Sequence, residues 1–335
     1  MSPLSALRRL AVAVCGVTAL LHITMAHPQP ASPGSGHAYP SKPVRMIVPF
    51  PPGGGNDILA RTVSQRLTDV VQQQIIVDNR GGAGGALGAQ IAANAAPDGY
   101  TLFLGSVGNL AQNPVLQAKP GYDPLRDFAP VTLLATSVFV LAVNNAVPAK
   151  SVQELIALAK AKPGLLNYAS AGNGSSLHLA AEIFKHATAT NIVHVPYKGA
   201  TPAFTDMIAG QVQMIITTMP AALPHIRSGK VRALGTSGRK RAAVLPEVPT
   251  IADTVPGYEV LNWQGITVPA KTPAAIVQVL HAKLVAALKM PGMNEALFAQ
   301  GLDAAGAGPE EFGALIKSEL AKYGRVVKAA GIRAE

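Results

Sequence analysis

The chain has 335 residues, of which 49% are hydrophobic and only 14% charged, a composition that excludes a disordered or charged coiled-coil protein and predicts about two domains. Its net charge of +10 reflects a shortage of acidic residues, because no segment combines clustered Lys and Arg with aromatic side chains. Nucleic-acid binding is therefore disfavoured, and the basic balance favours small anionic partners.

Residues 1–26 have the pattern of an export signal peptide. Arg8 and Arg9 precede an uncharged, mostly apolar run from Leu10 to Leu21. Small residues then occupy the two positions that a signal peptidase recognises before its cleavage site. A membrane anchor is the alternative, but the run is well short of the roughly 20 residues that span a bilayer. We predict cleavage after Ala26 and a periplasmic location, by either general or twin-arginine export. Cys15, the sole cysteine, lies in this segment, so the mature chain has no thiol for a disulfide, for catalysis or for a metal.

Residues 27–42 are rich in Pro, Gly, Ser and Ala, which predicts a flexible spacer. From Val44 onward, short apolar runs alternate with segments whose apolar residues recur at helical spacing. The predicted strands are residues 44–48, 75–77, 101–104, 139–143, 166–169, 192–195, 212–216 and 231–234. The predicted helices are one capped by Asn56, one opened by a capping box from Ser151 to Glu154, and residues 89–95, 175–184, 202–208, 221–227, 276–288, 294–299 and 309–327. This alternation predicts two α/β lobes with parallel sheets, the helical C-terminal tail packing on the first.

Three glycine-rich turns lie where a predicted strand meets a helix, at residues 53–56, 81–88 and 172–176. Ligands bind at this junction in open α/β sheets, since glycine lets the backbone approach a ligand and the N–H groups of a helix start carry partial positive charge. For any single turn, a glycine that only satisfies a positive φ is the alternative. The turn at 81–88 fails the dinucleotide-binding pattern, because Leu87 stands where that pattern needs its third glycine.

The sequence contains no hydrolase elbow, zinc-protease motif, phosphate-binding loop or metal-ligand spacing. Ser106 and Ser175 each follow a predicted strand, and we interpret both as hydroxyl donors to a ligand. A secreted α/β serine hydrolase that uses one of them is the alternative, and a nicotinamide-dependent oxidoreductase built on residues 81–88 is a third hypothesis. Residues 262–265 resemble a further strand that returns between the lobes, and Trp263 on it fits either core packing or a ring that closes over a ligand.

A series of different short motifs lies along the chain, at residues 39–44, 48–57, 97–100, 194–199, 223–226, 228–234, 245–250, 256–259 and 263–265. In order and spacing they are similar to the receptors of tripartite tricarboxylate transporters, the extracytoplasmic Bug-type solute-binding proteins. The resemblance covers essentially the whole mature chain.

The resemblance implies a type II periplasmic-binding-protein fold, with a ligand cleft between two lobes. Lobe 1 would comprise residues 43–140 with 262–335, and lobe 2 residues 141–261. Receptors of this family bind a small carboxylate, either an organic acid or an amino acid, and deliver it to a membrane permease. We therefore expect a monomeric binding protein without catalysis, cofactor or metal.

Contacts carried over by motif fall on both lobes. The expected first-lobe contacts are Phe50, Gly54, Gly55, Asn56, Asp57 and Ser106. The expected second-lobe contacts are Ala171, Gly172, Ser175, Ser176, Tyr197, Gly199 and Thr218. Asn56 stands where many relatives have Thr or Ser, and Thr217-Thr218 where Asp-Asn or Gly-Asn is common. Because both positions meet the distal part of a ligand, the identity of the ligand stays open.

Overall fold

The computed structural model describes residues 39–117 and 119–332. The predicted signal peptide and residues 27–38 of the predicted spacer lie outside the described residues. The last part of that spacer is packed against the fold, because Tyr39 OH donates a 2.5 Å hydrogen bond to the Gly99 carbonyl and its ring meets Tyr100 edge-on at 5.2 Å. Residues 39–42 of the predicted spacer are thus part of the described fold.

The strands of the described residues join in one mixed sheet. They are β1 (Val44–Val48), β2 (Ile75–Asn79), β3 (Thr101–Ser106), β4 (Phe128–Asn144), β5 (Asn167–Ser170), β6 (Val193–Pro196), β7 (Met214–Thr218), β8 (Val231–Thr236), β9 (Leu261–Pro269) and β10 (Asp303–Ala304). The sheet order is β2-β1-β3-β9-β4-β7-β5-β6, with β8 and β10 also paired to β4. All the predicted strands are confirmed, and the short β10 was not predicted.

Helices cover both faces of this sheet. They are α1 (Gly55–Val71), α2 (Ala86–Ala93), α3 (Asn113–Leu116), α4 (Val152–Ala161), α5 (Ser176–Thr188), α6 (Ala200–Ile208), α7 (Met219–Arg227), α8 (Ala274–Leu288), α9 (Met293–Ala299) and α10 (Pro309–Ala330). The predicted helices are all present, and α3 was not predicted. Within the described ranges, no single helix has the length and hydropathy to cross a membrane, and α8 with α9 meets that criterion only as a pair bent by 77°.

Strand β4 is far longer than the predicted residues 139–143. Its first part, before Phe139, carries Pro130 and several hydroxyl side chains, which break the apolar pattern of a buried strand. The pairing of β4 with β9 shifts register immediately after Pro130, and such a bulge accommodates a residue that lacks an N–H donor. The strand is therefore longer than its apolar run.

The sheet has two halves that share β4. In the first half, β1 pairs in parallel with β2 and β3, and β9 runs antiparallel between β3 and β4. In the second half, β5 pairs in parallel with β6 and β7, and both β7 and β8 run antiparallel to β4. The pairing of β4 changes from β9 to β7 between Val138 and Phe139. The predicted lobe boundaries stay a prediction, and this change of partner is the structural feature nearest to them.

A buried serine joins the segments that pass between the two halves. Ser237, which directly follows β8, accepts a 2.8 Å hydrogen bond from the Phe139 N–H and donates to the Val260 carbonyl just before β9. Asn262 Nδ2 donates a further 3.1 Å hydrogen bond to Ser137 Oγ. The crossing segments are thus tied to one another by buried side chains.

The buried apolar side chains form two clusters, one within the first half of the sheet and one that extends through both halves. In the first half, Met46 and Leu104 of the strands pack with Leu59 of α1 and Leu284 of α8. In the second half, the C-terminal part of β4 packs with α5 and with Tyr168. Each large side chain buried in this way stabilises the fold by about 1.5–3 kcal/mol. Helix α8 packs on α1 and β4, so the tail packs back as predicted.

Candidate functional site

The first glycine-rich turn leads from β1 into α1 and leaves the start of that helix without a side-chain cap. Gly54 is the N-cap residue, with φ −80° and ψ 167°. The prediction that Asn56 caps the helix was wrong, because Asn56 is the second residue of α1. No N-cap side chain therefore competes with a ligand for the first-turn N–H groups of α1.

Asp57 holds this turn in place. Its carboxylate accepts hydrogen bonds of 2.9 Å from the Gly53 N–H, 2.9 Å from Arg61 Nε and 3.0 Å from Asn79 Nδ2. Burial alone would raise the pKa of Asp57, but these hydrogen bonds and the Arg61 charge outweigh burial and lower the pKa. The carboxylate is therefore ionised at neutral pH and engaged by its own turn.

Ser106 ends β3 and lies beside a buried pair of side-chain amides. In the register of β3 and β9, Ser106 is opposite Gln264. Gln264 Nε2 donates a 3.0 Å hydrogen bond to Asn56 Oδ1. The exposed fractions are 2% for Ser106, 0% for Gln264 and 6% for Asn56. Strand β9 thus brings Gln264, which was not predicted as a site residue, next to two residues that were.

Trp263 is part of the core and points away from this pair. Its ring meets Phe312 edge-on at 5.7 Å, and its Nε1 donates a 3.4 Å hydrogen bond to Glu319. Because successive side chains of a strand point to opposite faces, the packing of Trp263 directs Gln264 toward the site. Core packing was the correct interpretation of Trp263, and a ring closing over a ligand was not.

The glycine-rich turn after β5 is held by its own hydrogen bonds. Ser170 Oγ accepts a 3.1 Å bond from the Gly172 N–H, and His178 Nδ1 accepts a 3.3 Å bond from the Gly174 N–H. These N–H groups therefore fix the shape of the turn.

Stacked rings support this turn. The His194 ring lies 4.4 Å from the His178 ring and 4.7 Å from the Tyr168 ring, and its Nε2 is 2.7 Å from Ser170 Oγ. Burial lowers the pKa of His194 to about 4. The His194 ring is therefore neutral at pH 7 and belongs to the support of the turn.

The turn ends in α5, whose start is capped. Ser175 is the N-cap residue, and its Oγ accepts a 3.3 Å hydrogen bond from the His178 N–H. Ser176 is the first residue of α5 and lies near Ser106, since a Cβ built on Gly108 would be 3.3 Å from the Cβ of Ser176 and 3.5 Å from Ser106 Oγ. The two halves thus bring one serine each to the same place.

The other expected second-lobe residues lie at the starts of α6 and α7. Tyr197 OH donates a 2.8 Å hydrogen bond to Asp206 Oδ2 of α6, and burial together with this carboxylate raises the pKa of Tyr197 to about 12. Gly199 is the N-cap of α6, and Thr218 is the N-cap of α7 without a side-chain cap hydrogen bond. The Tyr197 hydroxyl is thus engaged by Asp206, and the Thr218 hydroxyl does not cap its helix.

The turns of the two halves meet at a narrow crevice with a free volume of about 20 Å³, room for about one water molecule. Its lining residues are Phe50, Gly54, Gly55, Asn56, Ala171, Ser176, Leu177, Ala200 and Thr218. Only Leu177 and Ala200 in this set were not predicted from the sequence. The other predicted residues, which support or adjoin the turns, are Asp57, Ser106, Gly172, Ser175, Tyr197 and Gly199. A larger surface pocket of about 520 Å³ beside Gln153 and Lys160 borders none of the glycine-rich turns.

Contacts across the crevice hold its two sides together. Thr201 Oγ1 of α6 donates a 2.9 Å hydrogen bond to the Pro52 carbonyl of the first turn. Gly84, with φ +62°, lies so close to the turn after β5 that a Cβ built on it would be 2.9 Å from the Ser175 nitrogen. The turn at residues 81–88 is thus packed against protein, and the crevice is in a closed arrangement.

The electrostatics of the crevice come from helix starts. The helices that begin there are α1 at Gly55, α5 at Ser176, α6 at Ala200 and α7 at Met219, directly after Thr218. Each helix start carries a partial positive charge, and in the described ranges none of the lining residues has a charged side chain. Nor do the described residues place three or more His, Cys, Asp or Glu side chains where they can hold a metal ion. The arrangement suits a small anion held by N–H and hydroxyl groups.

Residues 59–332 match the model of the tripartite tricarboxylate transporter family receptor, and the chain belongs to this family. It is 39% identical over 292 residues to a UPF0065 protein in the tcbD-tcbE intergenic region of Pseudomonas sp. (strain P51), with 87% of each chain covered. A solved periplasmic transporter is 44% identical, with a TM-score of 0.87 over 89% of this chain and 100% of that one.

Two further solved relatives contain carboxylates. R. palustris Rpa4515 with adipate is 36% identical, with a TM-score of 0.86 over 88% of this chain and 99% of that one. MatC from Rhodopseudomonas palustris with bound malate is 32% identical, with a TM-score of 0.83 over 86% of this chain and 100% of that one.

These relatives confirm the predicted fold class, the two-lobe fold of periplasmic solute-binding proteins. They also confirm that the chain is a receptor of this family and not an enzyme. The hydrolase alternative is not supported, and the hydroxyl of Ser175 caps α5. Membership of this receptor family also argues against the oxidoreductase hypothesis. The glycine-rich turn on which that hypothesis was built, residues 81–88, packs against the turn after β5.

Proposed function

We propose that this chain is an exported receptor that binds one small carboxylate, an organic acid or an amino acid, in the crevice and delivers it to a membrane permease. The observation that carries the proposal is the convergence of the starts of α1, α5, α6 and α7 on a crevice lined by uncharged residues. Such a site stabilises negative charge by oriented N–H groups. The carboxylates in Rpa4515 and MatC support the ligand class.

The proposed direct contacts are the groups that face the crevice without a structural task of their own. They are the backbone N–H groups of Gly55 and Ser176, the side-chain amide of Asn56, and the hydroxyls of Ser176 and Thr218. Phe50, Gly54 and Ala171 shape the walls. Asp57, Ser106, Gly172, Ser175, Tyr197 and Gly199 hold or adjoin the turns from which these groups project.

The free energy that these hydrogen bonds supply is adequate for tight binding. A micromolar complex needs about 8.2 kcal/mol, and one hydrogen bond to a charged group contributes about 1.5–3 kcal/mol. A few such bonds, with exclusion of water when the crevice closes, offset the cost of ordering the ligand. A buried arginine is not required.

Lobe 1, residues 43–140 with 262–335, and lobe 2, residues 141–261, would move apart to admit the ligand. Because the crevice of this structure has room for about one water molecule, the ligand-bound arrangement would be wider than the present one, and the ligand would favour it by its higher affinity for it. Family membership supports permease subunits as partners and the periplasm as location, and we propose that the receptor acts as a monomer after removal of residues 1–26.

Isothermal titration calorimetry on the mature chain, residues 27–335, tests the proposal. The panel contains malate, succinate, glutarate, adipate and several amino acids, and the diamides of the dicarboxylates serve as uncharged controls. We expect at least one acid to bind with one site per chain, while its diamide binds far more weakly. A chain that gives a folded circular dichroism spectrum and cooperative unfolding, yet binds none of the acids, would contradict the proposal.

A further inference from the structure

The amide oxygen of Asn56 accepts a hydrogen bond, whereas its amide nitrogen donates none to the described residues. Asn56 Oδ1 accepts the hydrogen bond from Gln264 Nε2, whereas Asn56 Nδ2 is buried and has no hydrogen-bond partner among the described residues. Asn56 is 6% exposed and lines the crevice. A buried amide N–H without a hydrogen-bond partner costs free energy. A ligand that accepts a hydrogen bond from Asn56 Nδ2 would remove this cost.

The direction of the bond between the two amides decides which atom of Asn56 faces the ligand. With Gln264 as donor, Oδ1 is taken up and the NH₂ group is left for the ligand. If Gln264 offered an acceptor instead, the Asn56 amide would turn over and present its oxygen to the ligand. That oxygen repels a carboxylate, so the orientation of Gln264 bears directly on which ligand the site accepts.

Gln264 is well placed to fix this orientation. It is 0% exposed in the middle of β9, and it lies opposite Ser106 of β3. Its neighbour Trp263 is anchored in the core by Phe312 and Glu319, which holds β9 in place at this position. Gln264 Oε1 is buried without a hydrogen-bond partner among the described residues, so the bond from Nε2 to Asn56 is the contact that orients this amide. No lining contact of the crevice is made by Gln264 itself, so it acts on a ligand through Asn56.

We propose that Gln264 is a positioning residue that holds the Asn56 NH₂ group toward the ligand and thereby selects an ionised carboxylate over an uncharged amide at that end of the crevice. The inference rests on the proposed function. It adds a specificity determinant that lies outside the crevice lining.

A double-mutant cycle with a pair of matched ligands tests this inference. The variants are Gln264→Leu, which removes the donor without adding charge, Asn56→Ala, and the two combined. The probes are adipate and its monoamide, or malate and its monoamide if the wild-type chain prefers malate. Calorimetry gives the dissociation constants, and thermal unfolding checks that each variant is folded. Gln264→Met replaces Gln264→Leu if the leucine variant fails to fold.

We expect Gln264→Leu to weaken binding of the dicarboxylate by about tenfold or more, the size of one hydrogen bond to a charged group. The preference for the dicarboxylate over its monoamide should fall by a similar factor. In the Asn56→Ala background the same substitution should change the affinity by less than about twofold, since coupled residues are not additive.

Equal losses in both backgrounds, or no loss in the wild-type background, would overturn the role of Gln264. A merely structural role would weaken both probes alike and leave the preference unchanged, which also counts against the inference. Failure of the wild-type chain to bind either dicarboxylate overturns the proposed function, and this inference with it. The two failures are distinguishable because the first appears only in the variants.

Discussion

Gly55, the first residue of α1, lies directly against the hydroxyl of Thr218 on the other side of the crevice. A Cβ built on Gly55 would overlap Thr218 Oγ1 and lie 3.2 Å from the Thr218 Cβ. The absence of a side chain at Gly55 therefore lets the two halves approach at the place where a ligand is proposed to bind.

Gly55→Ala should weaken ligand binding by about tenfold or more, because the added methyl group must displace Thr218 before the crevice can close. Stability should change little, since alanine is a good helix former and Gly55 has no positive φ. Calorimetry and thermal unfolding measure the two effects. Gly324→Ala is the matched control, because a Cβ there meets only Val115 Cγ1 at 4.0 Å. Unchanged affinity in Gly55→Ala would show that close approach at this point is dispensable.

Ser176→Asp should weaken carboxylate binding by about tenfold or more, because it places a like charge at the start of α5 where the anion is proposed to lie. The same change at Ser318, which is exposed on α10, alters the net charge equally and should leave the affinity unchanged. Titration of both variants with the same acid makes the comparison. Equal affinities for Ser176→Asp and Ser318→Asp would remove Ser176 from the site.

Asp57→Asn should weaken binding rather than strengthen it. If the carboxylate of Asp57 faced the ligand, its removal would relieve repulsion and tighten the complex. Because the carboxylate instead anchors Gly53 and Arg61, the asparagine should loosen the first turn and destabilise the fold by about 1–3 kcal/mol. Denaturant unfolding and calorimetry measure both quantities, with the exposed Asp69 changed to Asn as control. Tighter binding by Asp57→Asn would place the carboxylate in the ligand site.

Acid should destabilise the protein through His194. The pKa of His194 is lowered to about 4 in the folded chain, whereas an unfolded histidine titrates near 6.5. Between these values the unfolded chain binds more protons, so the free energy of unfolding falls as the pH falls from about 6.5 to 4. His194→Gln should remove roughly 1–3 kcal/mol of this dependence between pH 7 and pH 4.5.

Denaturant unfolding at several pH values measures the slope for the wild-type chain, for His194→Gln and for a control variant. The control is His186→Gln, which changes an exposed histidine near the C-terminal end of α5. If the wild-type chain and His194→Gln had the same slope, the folded-state titration of His194 would not be shifted as described.

The sequence predicts most elements of the fold because apolar runs and helical periodicity are local signals. It does not predict the first part of β4, because Pro130 and the hydroxyl residues there are compatible with a strand only once β9 and the register shift are in place. The cap at Asn56 was predicted from residue type, whereas the structure places the cap two residues earlier, at Gly54. Helix ends depend on the backbone path of the preceding turn, which the residue type alone does not give.

Much of the crevice could be predicted as well, because glycine and hydroxyl residues at helix starts point to anion binding. Leu177 and Ala200 carry no such chemical signal, and they line the crevice only because their helices begin there. Gln264 could not be found from local sequence, since its role depends on the pairing that sets it opposite Ser106 and on its contact with Asn56, 208 positions earlier in the chain.

The buried hydroxyl of Ser237 has a mechanical consequence. It bonds at once to Phe139 on the shared strand and to Val260 ahead of β9, so two of the crossing segments are held together beside the point where β4 changes its partner strand. A rotation of one half about this point would give a displacement that grows with distance from the serine toward the mouth of the crevice. A small bend of the backbone near position 138 would thus widen the crevice most at its mouth, where a solute would enter.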